Sequence, residues 1–531
     1  MTTKLAFNQI DGNVVSVKDY GAVGDGVTDD RTALFNSNAA GNFVLSSGTY
    51  LINSNLTISS DVTFYDGAKL KPASGVTITI TGAITASVWN HCFDMSAGGS
   101  IQFEIGSTQQ AYPTWFGAIS DDESGTISTD NVTAIDECIK ACNVATGGDL
   151  EGDPVGSFRN IPVLIPAGMF SIDNANIDLP SYAVVIGLGP SSILACKGGT
   201  NSYSVFKCTT AGANSIYMSN FAIYGNYTNQ TGTIHGLEFA VASGSKPAYN
   251  EFNNLVIKEM AGNGLRIAGS VNIENCSFSN MMIRDCNGHC MYINRANKCD
   301  FNNLRIRSAK SGFSGCVVDG SANNSLNFNS CRMEGNNDHG IYFTNTGGRM
   351  VINGGSYSSN LDKGIYCDRV DNLVIDGGAI VELNTGEGIT LNQCDNSIIG
   401  KGVLSRSNYR GIGVYSTQYA DIDIKSVGNQ REGILISASN DNNISGSAIG
   451  NSQETNNTYN GVMIQSNSDN NDIEVFVRHG GGAAQHKYGV EINDVPSTAN
   501  RVTNCDLLNS GSTGSLLDSG TSTVTAAGNR V

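Results

Sequence analysis

A short phrase, glycine–apolar–variable–apolar, recurs along this chain between Gly236 and Gly489. It occupies 236–239, 264–267, 315–318, 340–343, 364–367, 388–391, 411–414, 433–436, 461–464 and 489–492, with Cys290 leading the copy at 290–293. Successive leads lie 22 to 28 residues apart. Self-similarity at such a period marks stacked repeats, each too small to bury a face on its own. Within a repeat, apolar and polar residues alternate with the period of a half-buried strand, and no helical spacing competes. A second strand follows in most repeats, as at 252–257, 301–306 and 373–375. Gly, Asn, Asp and Ser fill the gaps and tolerate the backbone of tight turns. Two or three short strands per repeat describe one coil of a parallel β-helix. At roughly 4.8 Å between coils, eleven coils make a rod about 50 Å long. A leucine-rich repeat would need a recurring Leu framework, which this chain lacks. The predicted fold is all-β, a solenoid.

The length of 531 residues suits such a solenoid, which grows without a second core. The 63 glycines and abundant asparagines match a turn-dense β structure. A formal net charge of -17 argues against a nucleic-acid partner, because phosphate binding is driven by Lys and Arg. No run of about 18 apolar residues offers a membrane span, and residues 1–7 lack the apolar core of a signal peptide. The 14 cysteines, some at inward positions of the ladder such as Cys316 and Cys367, are expected to be buried, reduced thiols. Their spacing does not point to a metal site, and no cofactor is expected.

Residues 1–17 are expected to be a polar arm. Next comes Asp19-Tyr20-Gly21-Ala22-Val23-Gly24-Asp25-Gly26-Val27-Thr28-Asp29-Asp30, running into a short helix from Arg31. Thr28, Asp29 and Asp30 are placed to cap that helix. A strand, turn and strand follow at 43–52. The same programme then repeats: Gly117-Ala118, the acidic Asp121-Asp122-Glu123, a helix with Ile135, Cys138, Ile139 and Cys142 on one stripe, and a strand-turn-strand at 163–172. A stripe-faced helix can cap the open end of a solenoid. The expected layout is an arm at 1–17, a small β domain at 18–111, a capped β-helix at 112–496 and a closing segment at 497–531.

The motif at 19–30, together with the later ladder, resembles the pectate-lyase-like superfamily of right-handed parallel β-helices. It looks in particular like the bacteriophage tailspikes that depolymerise host surface polysaccharide. That resemblance implies a virion-borne enzyme, made in the bacterial cytoplasm and attached to other tail proteins through its N-terminus. It further implies a homotrimer that binds capsular or O-antigen polysaccharide along an outer groove. The motif marks fold and brings no catalytic residues with it, and no trimerising domain is evident after the ladder.

Stacking turns repeat register into columns of side chains. One outward column reads Tyr292, Val317, Tyr342, Tyr366 and Thr390, in which exposed Tyr rings could stack on sugars or pack laterally. Two residues further on lie Asn294, Asp319, Thr344, Asp368 and Asn392. Asp319 and Asp368, two coils apart at roughly 9.6 Å, suit an inverting glycosidase with room for a water. Glu334 and Glu382 have the same separation across Ser358. Asp338 and Asp362 occupy adjacent coils, closer to retaining geometry. His339, Lys363 and His289 stand beside them to move protons or hold charge. A solvated turn is the commoner fate of any single one of these carboxylates; their convergence with His and Tyr between about 288 and 390 singles out this band. Glu387, Arg410 and Glu432 alternate in sign down another column and look like a surface ion ladder. Three functions follow from these features: carboxylate acid/base hydrolysis of a polysaccharide, β-elimination using His339, Lys363 or Tyr342, and a non-catalytic receptor-binding spike.

Overall fold

The computed structural model describes residues 15–121, 129–143, 160–480, 485–525 and 528–531. Residues 1–14 of the expected arm, and Asp122 and Glu123 of the second acidic turn, lie outside the described residues. Two compact units are present, Met1–Tyr224 and Gly225–Val531.

In the first unit short parallel strands already wind as coils. Phe43, Val62 and Ile84 share one register, Thr49 and Lys69 a second, and Leu56, Ile78 and Ile101 a third. Two α-helices, Arg31–Ala40 and Val132–Cys142, interrupt them. The predicted stripe of Ile135, Cys138, Ile139 and Cys142 is buried. The twofold programme is closer than the sequence suggested. Each copy opens with a 3₁₀ turn, Val17–Tyr20 and Pro113–Phe116, closed by a left-handed glycine, Gly21 at φ 92° and Gly117 at φ 94°. Each places an acceptor before its helix: Asp30 takes the N–H groups of Val23 and Gly24, and Asn131 takes that of Ile119. The expected capping by Asp30 is therefore corrected. Its carboxylate ties back the preceding loop and makes no cap hydrogen bond.

The second unit carries the predicted ladder, all parallel. Ile341, Ile365, Ile389 and Ile412 fall in one register. The second strands stack as expected, with Phe278 on Phe301 and Phe328. Inside the coil the Phe252, Phe278, Phe301 and Phe328 rings stack at centroid spacings of 5.0, 5.2 and 4.8 Å. Sharp corners between strands fall on left-handed residues in column, among them Asn254, Asn280, Asn303 and Ser330. All 14 cysteines are buried, and none forms a disulfide. No helix among the described residues is long and apolar enough to cross a membrane.

From Gly315 to Gly433 the leading glycines pack against a buried asparagine ladder. Asn336, Asn360, Asn384 and Asn408 are fully or nearly fully buried and joined by Nδ2–H···Oδ1 bonds of 2.9 Å. Each Oδ1 of Asn360, Asn384 and Asn408 also accepts the backbone N–H of the asparagine one coil before, at 3.0 to 3.1 Å. A Cβ at Gly340 or Gly364 would stand 2.8 or 2.7 Å from the next Asn Nδ2. There only glycine leaves room for the ladder, and a Cβ at Gly340 or Gly364 would also meet the next leading carbonyl, at 2.5 or 2.9 Å.

Candidate functional site

The turns that follow this ladder carry the chemistry. A left-handed corner at Gly335 or Ser359 bends the chain, and a buried Asn anchors it. Two residues later come Asp338 and Asp362, then His339 and Lys363, then the glycine that starts the next strand. Backbone N–H groups of Asp362 and Gly386 donate to the carbonyls of Asp338 and Asp362 at 3.2 and 2.9 Å, keeping these turns in register.

His339 is buried between the two aspartates: its Nδ1 lies 3.6 Å from Asp338 Oδ1 and 3.5 Å from Asp362 Oδ2. The same nitrogen accepts the Lys363 N–H at 3.4 Å, which puts the ring proton on Nε2. His289 and His235 are held alike, by the N–H of Ser314 and of Asn263. Burial pushes the His339 pKa below its ordinary value, outweighing the pull of Asp338 and Asp362. It is therefore neutral at pH 7. Ser314 Oγ donates to Asp338 Oδ2 at 2.7 Å, and Lys363 Nζ lies 3.1 Å from Asp362 Oδ2. One atom each of Asp338, His339 and Asp362 lie within 4.8 Å of one another, a spacing that could hold a cation. The Lys363 ammonium competes for the Asp362 end of it.

Against this cluster stand Tyr342 and Tyr366, stacked at 4.7 Å, with the His339 ring edge-on to both. Lys363 Nζ sits 4.8 Å from the centre of the Tyr366 ring. Burial, then Asp368, pushes the Tyr366 phenol up to about 12. A cleft of about 470 Å³ opens beside it, lined among others by Asp362, Lys363, Tyr366, Glu387, Tyr409 and Tyr415. The arrangement sets two carboxylates and a neutral imidazole beside a cleft with aromatic walls, and Asp362 is the member of the pair that lines it.

The structure thus brings Asp338, His339, Asp362, Lys363, Tyr342 and Tyr366 together. The other candidates lie elsewhere. Tyr292 donates to Asp319 at 3.0 Å, Asn294 Nδ2 donates to the Asp319 carbonyl, and the His289 ring lies 6.2 Å from Tyr292. Asp368 shares the Asp319 column across Thr344, as expected, but it is buried and engaged by Arg369 and Asn392. Glu334 and Glu382 flank Ser358 on the second strands, beside Arg305 and Arg406. Val317 and Thr390 of the tyrosine column are buried, not exposed.

The ion ladder of Glu387, Arg410 and Glu432 needs correction too. Glu387 and Glu432 are buried, and Arg410 joins both, its Nε 2.8 Å from Glu432. Tyr415 and Thr390 also donate to Glu387, so this carboxylate closes the floor of the cleft. Tyr415 was missed by sequence. Its signal was register, since it pairs with Asn392 in the column of Asp319 and Asp368. A Cβ on Gly413 would meet the Tyr415 ring at 2.5 Å and Glu387 at 2.7 Å, so that glycine makes the room.

Residues 251–454 match a family model described as periplasmic copper-binding protein (NosD). No curated protein matches the chain. Among solved structures it is similar to the A-module of Azotobacter vinelandii mannuronan C-5 epimerase AlgE6, at 16% identity over 78% of this chain and 99% of that one, TM-score 0.47. The AlgE4 A-module follows at 16% identity, 79% and 97% coverage and TM-score 0.43. The Dettilon tailspike protein matches at 14% identity, 77% and 68% coverage and TM-score 0.40. The chain has a right-handed parallel β-helix fold.

Proposed function

We propose that the chain is a depolymerase of bacterial surface polysaccharide, capsule or O-antigen, carried on a phage tail and acting by hydrolysis. One observation carries the reading: Asp338 and Asp362 lie on either side of buried, neutral His339, and Asp362 lines a cleft walled by Tyr366, Tyr409 and Tyr415. Their oxygens approach within 4.8 Å, nearer the roughly 5–5.5 Å of retaining glycosidases than the 6.5–9.5 Å that leaves room for a water. In this reading Asp362, which lines the cleft, attacks the anomeric carbon as the glycosidic bond breaks. Asp338 gives its proton to the leaving oxygen, then takes one from the water that releases the sugar. Lys363 and Ser314 orient the two carboxylates, while Tyr366, Tyr409 and Tyr415 line the cleft that takes the sugar chain.

β-Elimination is the weaker reading. Of the candidate bases, His339 has its Nδ1 taken by the Lys363 N–H and its proton on Nε2, and Lys363 is engaged with Asp362. Incubation with a panel of capsular and O-antigen polysaccharides tests the assignment. New reducing ends without the ultraviolet absorbance of an unsaturated uronate are expected. Both signals together mean a lyase, and binding with neither means a receptor-binding spike.

A further inference from the structure

Beyond the acid pair, the column that holds Asp338 and Asp362 changes character. Gly386 N–H donates to the Asp362 carbonyl at 2.9 Å, Tyr409 to Gly386 at 3.0 Å and Arg431 to Tyr409 at 2.8 Å. Arg431 therefore stands three rungs from Asp362, about 14 Å at the strand spacing. Tyr409 lines the cleft itself. The Arg431 guanidinium carbon lies 4.4 Å from the centre of the Tyr409 ring and 4.9 Å from that of Tyr459. Its Nε donates to Glu454 Oε2 at 2.8 Å, and its side chain is 31% exposed. Neither terminal nitrogen donates to a protein acceptor among the described residues. On the next rung but one, Lys487 N–H donates to the Tyr459 carbonyl at 2.8 Å.

From this we infer that Arg431, clamped between Tyr409 and Tyr459, is a carboxylate-binding subsite, so the glycan taken by the cleft carries an acidic sugar. The inference rests on the depolymerase reading and adds the substrate class. A guanidinium clamped between two rings is pre-oriented, so little rotamer entropy remains to be lost on binding. Glu454 holds Nε and leaves the planar edge of two amino groups, which matches a carboxylate in a bidentate pair. The flanking rings supply apolar faces for the sugar that bears it. In a chain of net charge -17, a Tyr-Arg-Tyr-Lys run on successive rungs is a local attraction for an anion that the surroundings repel. A surface ion pair with Glu454 alone would need neither ring.

Calorimetric titration with a glucuronate-containing oligosaccharide, and with its carboxyl-reduced counterpart of the same length, tests the subsite. The acidic form is expected to bind about tenfold more tightly, the scale of one charge-assisted bidentate contact. R431M should abolish that preference. R431K, a point charge without the fork, should keep part of it, with the circular dichroism and melting of both variants unchanged. Equal binding of the two oligosaccharides by the unmodified protein overturns the inference. So does a preference that survives R431M, or no binding of either. Binding is read without turnover, so failure of the depolymerase reading would appear separately, as intact preference with no cleavage of any polysaccharide.

Discussion

Asn360→Ala is the most informative perturbation of the framework beneath the site. The Asn360 Oδ1 accepts the Asn336 N–H at 3.1 Å and the Asn336 Nδ2–H at 2.9 Å. Its own Nδ2 donates to the Met333 carbonyl at 3.2 Å and to Asn384 Oδ1 at 2.9 Å. Truncation leaves two donors of Asn336 without acceptors at positions with no exposure. Each such orphan costs roughly 1–3 kcal/mol, so the expected loss is about 2–6 kcal/mol, with a small cavity added. Asn337, the exposed neighbour, should change stability by less than about 0.5 kcal/mol when replaced by Ala. Urea unfolding followed by circular dichroism compares the two. Because Asp338 and Asp362 lie two residues beyond Asn336 and Asn360, N360A should also lower turnover at temperatures where it remains folded. Equal stabilities of N360A and N337A would refute the view that the ladder holds these turns.

Other outcomes follow from the same geometry. Gly364→Ala would put a Cβ 2.3 Å from Val381 Cγ1 and 2.7 Å from Asn384 Nδ2, an overpacking worth roughly 1–3 kcal/mol and visible as a lower melting temperature. Arg410→Met strands the buried carboxylates of Glu387 and Glu432 and should cost about 3–5 kcal/mol in urea unfolding at pH 7. His486, fully buried, accepts the Asn451 N–H on Nε2 and faces the Ser510 carbonyl with Nδ1; burial depresses its pKa to about 4. The folded state therefore refuses a proton that the unfolded chain takes near pH 6.5, so stability is whole above that pH and falls as pH drops toward 4. At about 1.36 kcal/mol per pH unit the loss reaches roughly 3 kcal/mol, measured as the acid sensitivity of the protein minus that of His486→Asn.

The solenoid and its register were legible because they rest on local alternation and on a glycine period in which leads from Gly236 to Gly461 pack against the carbonyl of the next lead. The columns containing Tyr342 and Tyr366, and Asp319 and Asp368, fall where the register put them. Burial was less legible. Glu387 and Arg410 read as a solvated ladder because charge alternation is the same on a surface and on the floor of a cleft. What buries them is Tyr415, 28 residues from Glu387 and brought over it by the space at Gly413. Spacing alone gave three carboxylate pairs equal standing. All three pairs have partners, Arg369 and Asn392 on Asp368, Arg406 on Glu382, Ser314 on Asp338 and Lys363 on Asp362; the distinction is that Asp338 and Asp362 also share one histidine. Partners of this kind depend on side-chain directions that a repeat period does not encode.

The most direct test of the central claim is the rate at which reducing ends appear from a cleaved surface polysaccharide in D338N and D362N, with E334Q as the comparison. Loss of roughly 10²–10⁴-fold in both aspartate variants, with E334Q near the unmodified rate and no unsaturated uronate formed, is the expected result. Cleavage that survives both substitutions would contradict the account.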